Sequence, residues 1–104
     1  MIDLYPEDIK RFILRNVPKA HAHEVYNDII FIPLDVVKEV WLTLDGQSVS
    51  LKFCNGTVIE TYNKDNLILV SDKETMRGKP VYLMDVLIMD GELTINLHPK
   101  VLNP

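Results

Sequence analysis

Between residues 36 and 62 apolar and polar positions alternate in three short runs, separated by Asp45-Gly46 and Asn55-Gly56. A further pair of alternating runs, 81–89 and 92–97, is separated by Asp90-Gly91. Alternation with a period of two marks half-buried strands, and Asx-Gly dipeptides supply the positive φ angles that a two-residue type I′ turn needs. The pattern therefore predicts hairpins with defined registers. Leu42 should face Val49 and Val40 should face Leu51. Across the next turn Phe53 should face Val58 and Leu51 should face Glu60. Val40, Leu42, Val49, Leu51, Phe53, Val58 and Tyr62 would then share one apolar face.

In the last hairpin Ile88 should pair with Leu93, Val86 with Ile95 and Met84 with Leu97. Its buried face would carry Tyr82, Met84, Val86, Ile88, Leu93, Ile95 and Leu97. The other face of its first strand, Leu83, Asp85, Leu87 and Met89, is also largely apolar, which predicts cover on both sides.

The N-terminal pattern has a different period. Ile9, Phe12 and Ile13 fall at i, i+3 and i+4, with Val17 extending the stripe, behind Pro6 and the acidic pair Glu7 and Asp8. That spacing predicts a helix over 6–16, with Pro at its first position and Arg11 and Arg15 toward its C-terminal end. Pro18 either ends it or opens a second short helix through Glu24. The run around Tyr26 and Ile29-Ile30-Phe31-Ile32 predicts a strand closed by Pro33. Residues 67–70 predict another, followed by a polar connection over 71–80 that reads as a functional loop. The tail from Pro99 shows no pattern.

One helix and about seven strands joined by neighbouring hairpins describe an α+β fold, the N-terminal helix packed on an antiparallel β-meander. The meander closes as a small barrel or folds as a two-sheet sandwich. At 104 residues, 1–104 are expected to form a single domain.

Charge narrows the range of partners. The formal net charge is −4, and it does not separate along the chain: residues 1–52 hold six Lys/Arg against eight Asp/Glu, residues 53–104 five against seven. A nucleic-acid binder usually concentrates a basic excess on one face, so this balance argues against nucleic acid as the main partner. The alternative would use the helical cations Arg11, Arg15 and Lys19, with Lys10 beside them and Lys73, Arg77 and Lys79 extending the patch. Cys54 is the one cysteine, which excludes an intrachain disulfide and fits a reducing, cytoplasmic setting. The first residues show no charged-then-apolar leader pattern and no apolar run reaches membrane-spanning length, so a soluble protein is the expectation.

Few residues suggest chemistry. His21 and His23, with His98 far along the chain, have the nitrogen ligands of a zinc site, and a metal-dependent protein or enzyme using them is the second reading. In an extended segment the first two rings would project to one side; in a helix they would lie about 200° apart. Two histidines in a polar linker are also ordinary surface residues. Cys54 lies before a turn with no neighbouring base implied, and no Gly-rich phosphate loop or arguable carboxylate pair is present, so enzymatic activity has little support. Trp41 stands out more. It lies on the strand face opposite the apolar set, among Glu39, Lys52 and other polar residues, either covered by another element or presented to a partner. The leading expectation is a small protein-binding module of inhibitor, immunity or adaptor type. It would act through Trp41, Glu39 and Lys52 on the sheet and Met76, Arg77 and Lys79 in the 71–80 segment. Homo-oligomerisation by edge-strand pairing is a further expectation, with the 29–33 or 67–70 strand as the edge.

Overall fold

The helix forms where its periodicity predicts it. In the computed structural model, which describes residues 2–23, 25, 28–45 and 47–99, α1 spans Pro6–Asn16. The Tyr5 backbone N–H donates to Asp8 Oδ2 at 3.4 Å, and Ile9, Phe12 and Ile13 are fully buried. The helix ends at Val17, whose backbone is extended, so Pro18 terminates it. Lys19 then turns the chain with φ 61°. Glu24, Tyr26, Gly46 and the tail over 100–104, which figure in the sequence reading, lie outside the described residues.

Ten strands among the described residues build two sheets: β1 Asp3–Leu4, β2 His21–Ala22, β3 Ile29–Pro33, β4 Val37–Leu42, β5 Val49–Phe53, β6 Val58–Tyr62, β7 Asn66–Val70, β8 Thr75–Pro80, β9 Tyr82–Met89 and β10 Glu92–Pro99. The larger sheet has the order β1-β8-β7-β6-β5-β4, the smaller β2-β3-β10-β9. All pairings are antiparallel except β1 with β8. The architecture is thus two open sheets and a helix, with more strands than the seven expected and no closed barrel. Apolar side chains from α1, the inner faces of both sheets and Val36 form one core. Alternation puts Val49, Leu51 and Phe53 of β5 and Leu67 and Leu69 of β7 on the inner face, and Leu93, Ile95 and Leu97 of β10 opposite them.

Two of the three predicted hairpin registers are present. Leu42 pairs with Val49 and Val40 with Leu51, while Ile88 pairs with Leu93, Val86 with Ile95 and Met84 with Leu97. Asp90 and Gly91 have φ of 53° and 79°, the signature of the two-residue turn. The β5–β6 register differs by one residue. Gly56 N–H donates to Phe53 O and Phe53 N–H to Thr57 O, so the loop has three residues, with Gly56 at φ 89°. That loop combines a type I turn with a glycine bulge. It pairs Leu51 with Ile59 in place of Glu60. Ile59 and Thr61 therefore turn into the core, and Val58 and Tyr62 turn out.

Residues 71–80 are not a loop. Ser71 N–H donates to Glu74 O, and Ser71 Oγ accepts from the N–H groups of Lys73 and Glu74, which makes a tight turn leading straight into β8. Pro80 lies beyond the last β7 pair, Leu67 with Gly78, so its missing N–H breaks no ladder bond. At Gly78 a Cβ would run into the carbonyl oxygen of Ile2; the absence of a side chain lets β1 dock there. The edge expectation is also corrected: β3 lies between β2 and β10, and β7 between β6 and β8. Among the described residues the long open edges belong to β4 and β9. The second face of β9 is uncovered, with Leu87 and Met89 exposed.

Candidate functional site: the outer face of the larger sheet

Strand register assembles the site. Trp41 pairs with Ser50, Ser50 with Glu60, Glu60 with Ile68 and Ile68 with Arg77, one row across five strands. The neighbouring row runs Glu39, Lys52, Val58, Val70 and Thr75. Because the residues between them in each strand point into the core, both rows lie on the outer face. Trp41 is 54% exposed and Tyr62 47% exposed. The reading in which another element covers Trp41 is thereby removed.

The charged groups on this face fall into two sets. Glu39 and Lys52 approach to 3.8 Å. Glu60 accepts from Ser50 Oγ at 3.2 Å and from the Tyr62 hydroxyl at 2.7 Å, and this second hydrogen bond holds the Tyr62 phenol above its ordinary pKa. At the β8 end, Arg77 and Lys79 are exposed and form no ion pair among the described residues. Trp41, Glu39, Lys52, Arg77 and Lys79 thus share one surface. Met76 does not: it alternates inward and packs against the core.

The helical cations are committed elsewhere. Arg11 lies 3.7 Å from Glu7 and 4.0 Å from Asp8. Arg15 donates twice to Glu74, at 3.2 and 3.0 Å. Lys19 donates to Asp35 at 2.8 Å, which raises its pKa. A phosphate bound along this stripe would have to displace carboxylates already in place.

The same end of the helix carries a polar cluster that periodicity did not flag. Buried Asn16 donates to Phe12 O at 2.9 Å and to Glu74 Oε1 at 2.6 Å, and its own carbonyl accepts from Asn55 Nδ2 at 2.7 Å and Thr57 Oγ1 at 3.1 Å. A recess of about 240 Å³ lies here, lined by Arg15, Asn16, Asn55, Asp72 and Lys73 among others. Arg15, Asn16 and Asn55 are engaged in tying α1 to the turns of the larger sheet. The one sequence signal was polar: an Asn on the apolar side of the helix.

The histidines separate into two places. His21 stacks on Phe31 with ring centroids 5.7 Å apart, and His23 lies 6.2 Å from the same ring. Residues 21–22 are extended, as a shared ligand direction requires. His98 Nε2, however, donates to Asp85 Oδ2 at 3.1 Å, two strands across and four residues along β10 from the level of His21, about 13 Å by strand rise. The three imidazoles are not brought together, and among the described residues no group of three or more His, Cys, Asp or Glu has a geometry that could hold a metal ion. Cys54 is exposed in the β5–β6 turn.

No helix among the described residues is long and apolar enough to cross a membrane. Comparison with protein-family models, with curated proteins and with solved structures finds no match to this chain.

Proposed function

We propose that this chain is a protein-binding module that holds its partner on the outer face of the larger sheet. The observation that carries the reading is the exposed Trp41 at one end of a five-strand row whose other end is Arg77. Trp and Arg are the side chains most enriched among residues that dominate binding energy, because both combine large apolar area with directed polar contacts. Between them lie Ser50, Glu60 and Ile68, and with Val58 and Val70 of the flanking row Ile68 forms an apolar centre beside the Glu60 carboxylate. A fitting partner offers apolar side chains to this centre and carboxylates to Arg77 and Lys79. The setting proposed is a reducing cytoplasm, where exposed Cys54 stays a thiol.

Trp41 is the only tryptophan, so its fluorescence reports the face directly. Capture of a near-stoichiometric partner from host lysate by the wild type, with loss of capture in both Trp41→Ala and Arg77→Ala, is the expected result. The purified complex should shift Trp41 emission to shorter wavelength. A partner retained by both folded variants, or one that leaves the emission unchanged, would place binding on another surface.

A further inference from the structure

The two long open edges are treated differently by the sequence. The β4 edge carries Lys38 and Glu39 and a register shift between Val37 and Glu39, the devices that discourage an edge strand from pairing with another chain. The β9 edge has none of them. Its eight residues contain one charge, Asp85, no Lys and no Pro, and its ladder to β10 runs without a shift. Toward its end three consecutive apolar residues are exposed: Leu87 at 60%, Ile88 at 49% and Met89 at 59%.

The backbone polarity of that edge follows from β10. Leu97 N–H donates to Asp28 O at 2.7 Å, so the odd-numbered residues of β10 address β3 and the even-numbered ones address β9. Their β9 partners are Leu83, Asp85, Leu87 and Met89. Val86 and Ile88 consequently direct their N–H and C=O groups to the open edge. Leu83 and Met84 line a small cavity with Thr61 and Lys64 of the larger sheet, which leaves the stretch from Asp85 onward as the accessible part.

We infer that a second copy of this chain adds to this edge, β9 pairing antiparallel with the partner's β9 about a two-fold axis at Leu87. In this register Leu87 faces its own symmetry mate in a non-hydrogen-bonded pair, where side chains approach most closely. Val86 and the partner's Ile88 exchange N–H···O=C bonds, and Asp85 faces the partner's Met89. An axis on Asp85 sets two carboxylates opposite each other, and a one-residue slip of the partner strand sets open backbone groups against groups already bonded to β10. Axes on Val86 or Ile88 also match open groups with open groups; the first brings Asp85 against the partner's Leu87 and the second brings Val86 against the partner's Asp90, whereas the axis on Leu87 sets all of 86–88 apolar against apolar. The stretch 86–88 is thus self-complementary, which favours a second copy as the occupant. The two-fold closes on itself, so a dimer forms and not a filament. Contact along one strand lies at the low end of specific interfaces, on the order of 1,000 Å² in total, and the expected dissociation constant is micromolar.

Sedimentation equilibrium of the full chain from low micromolar to millimolar concentration tests this. A reversible monomer–dimer equilibrium is expected. Leu87→Lys should be monomeric throughout, with its folded state checked by circular dichroism, and so should Leu87→Glu. An equimolar mixture of the two should form heterodimers, because a register that opposes residue 87 to itself places the new charges side by side. In a Cys54→Ser background, Leu87→Cys should oxidise to a covalent dimer and Asp85→Cys should not. A wild type that stays monomeric at millimolar concentration overturns the proposal; so does a dimer that survives Leu87→Lys, or growth into larger assemblies. Trp41→Ala should leave the dimer unchanged, so this result and that for the larger sheet's outer face can fail separately.

Discussion

Tyr82 and Thr61 show how single atoms test the core. Both are buried, Tyr82 to 2% exposure and Thr61 to 6%, and neither hydroxyl has a hydrogen-bond partner among the described residues. They line the same small cavity, of about 20 Å³. An unpartnered buried hydroxyl forfeits its bond to water, so Tyr82→Phe and Thr61→Val are expected to be neutral or to stabilise by up to about 1 kcal/mol in urea unfolding. Burial also pushes the Tyr82 phenol far above its ordinary value of 10.0. The folded state therefore keeps that proton where the unfolded chain releases it. Stability from this source is complete below pH 10 and declines as pH rises above it, and Tyr82→Phe should flatten that alkaline decline. Exposed Trp41 has the opposite profile. Trp41→Ala is expected to change folding stability by no more than about 0.5 kcal/mol, since a solvent-facing side chain leaves no cavity.

Elements depend on a few contacts between turns and helix. Glu74 accepts from Arg15 and Asn16 at once, which joins the end of α1 to the β7–β8 turn; Glu74→Ala is expected to cost about 1 kcal/mol in denaturant unfolding. Gly78→Ala should displace β1 from β8, because the new Cβ and the Ile2 carbonyl compete for one position, and limited proteolysis near residues 2–4 should accelerate. Elements set by local chemistry were legible in the sequence: α1 from its stripe and Pro6, and the β9–β10 hairpin from Asp90-Gly91. The β5–β6 register was not, because Asn-Gly serves a two-residue and a three-residue turn alike and Val58-Ile59-Glu60-Thr61-Tyr62 offers an apolar residue to either face. Strand β8 was hidden by Gly78, Pro80 and its charges, whose alternation with Met76 becomes visible only with β1 and β7 on either side. Strands β1 and β2, of two residues each, are too short for any periodicity.

At the level of the whole molecule the candidate site was legible in part. Trp41 could be assigned to the polar side of its strand from alternation alone. That Arg77 belongs to the same row could not, since its position depends on four successive registers, one of which the sequence misstates. Met76 was grouped with Arg77 by proximity in sequence, and strand geometry sends neighbours to opposite faces. The histidines illustrate the same limit: His21 and His23 adjoin in sequence and share Phe31, whereas His98 is placed by the β10 register.

The pairing of β1 with β8 joins residue 3 to residue 79, and β3 with β10 joins residue 30 to residue 95, whereas the pairings within β4 to β8 all join strands consecutive in the chain. Loop-closure entropy makes the distant pairings slow to form, so the meander is expected to be organised in the folding transition state before either closure occurs. Leu51→Ala should chiefly slow refolding, while Leu4→Ala should chiefly accelerate unfolding in stopped-flow chevrons. Until β1 docks, the far edge of β8 is unprotected, and a brief window for misassembly opens in every molecule that folds.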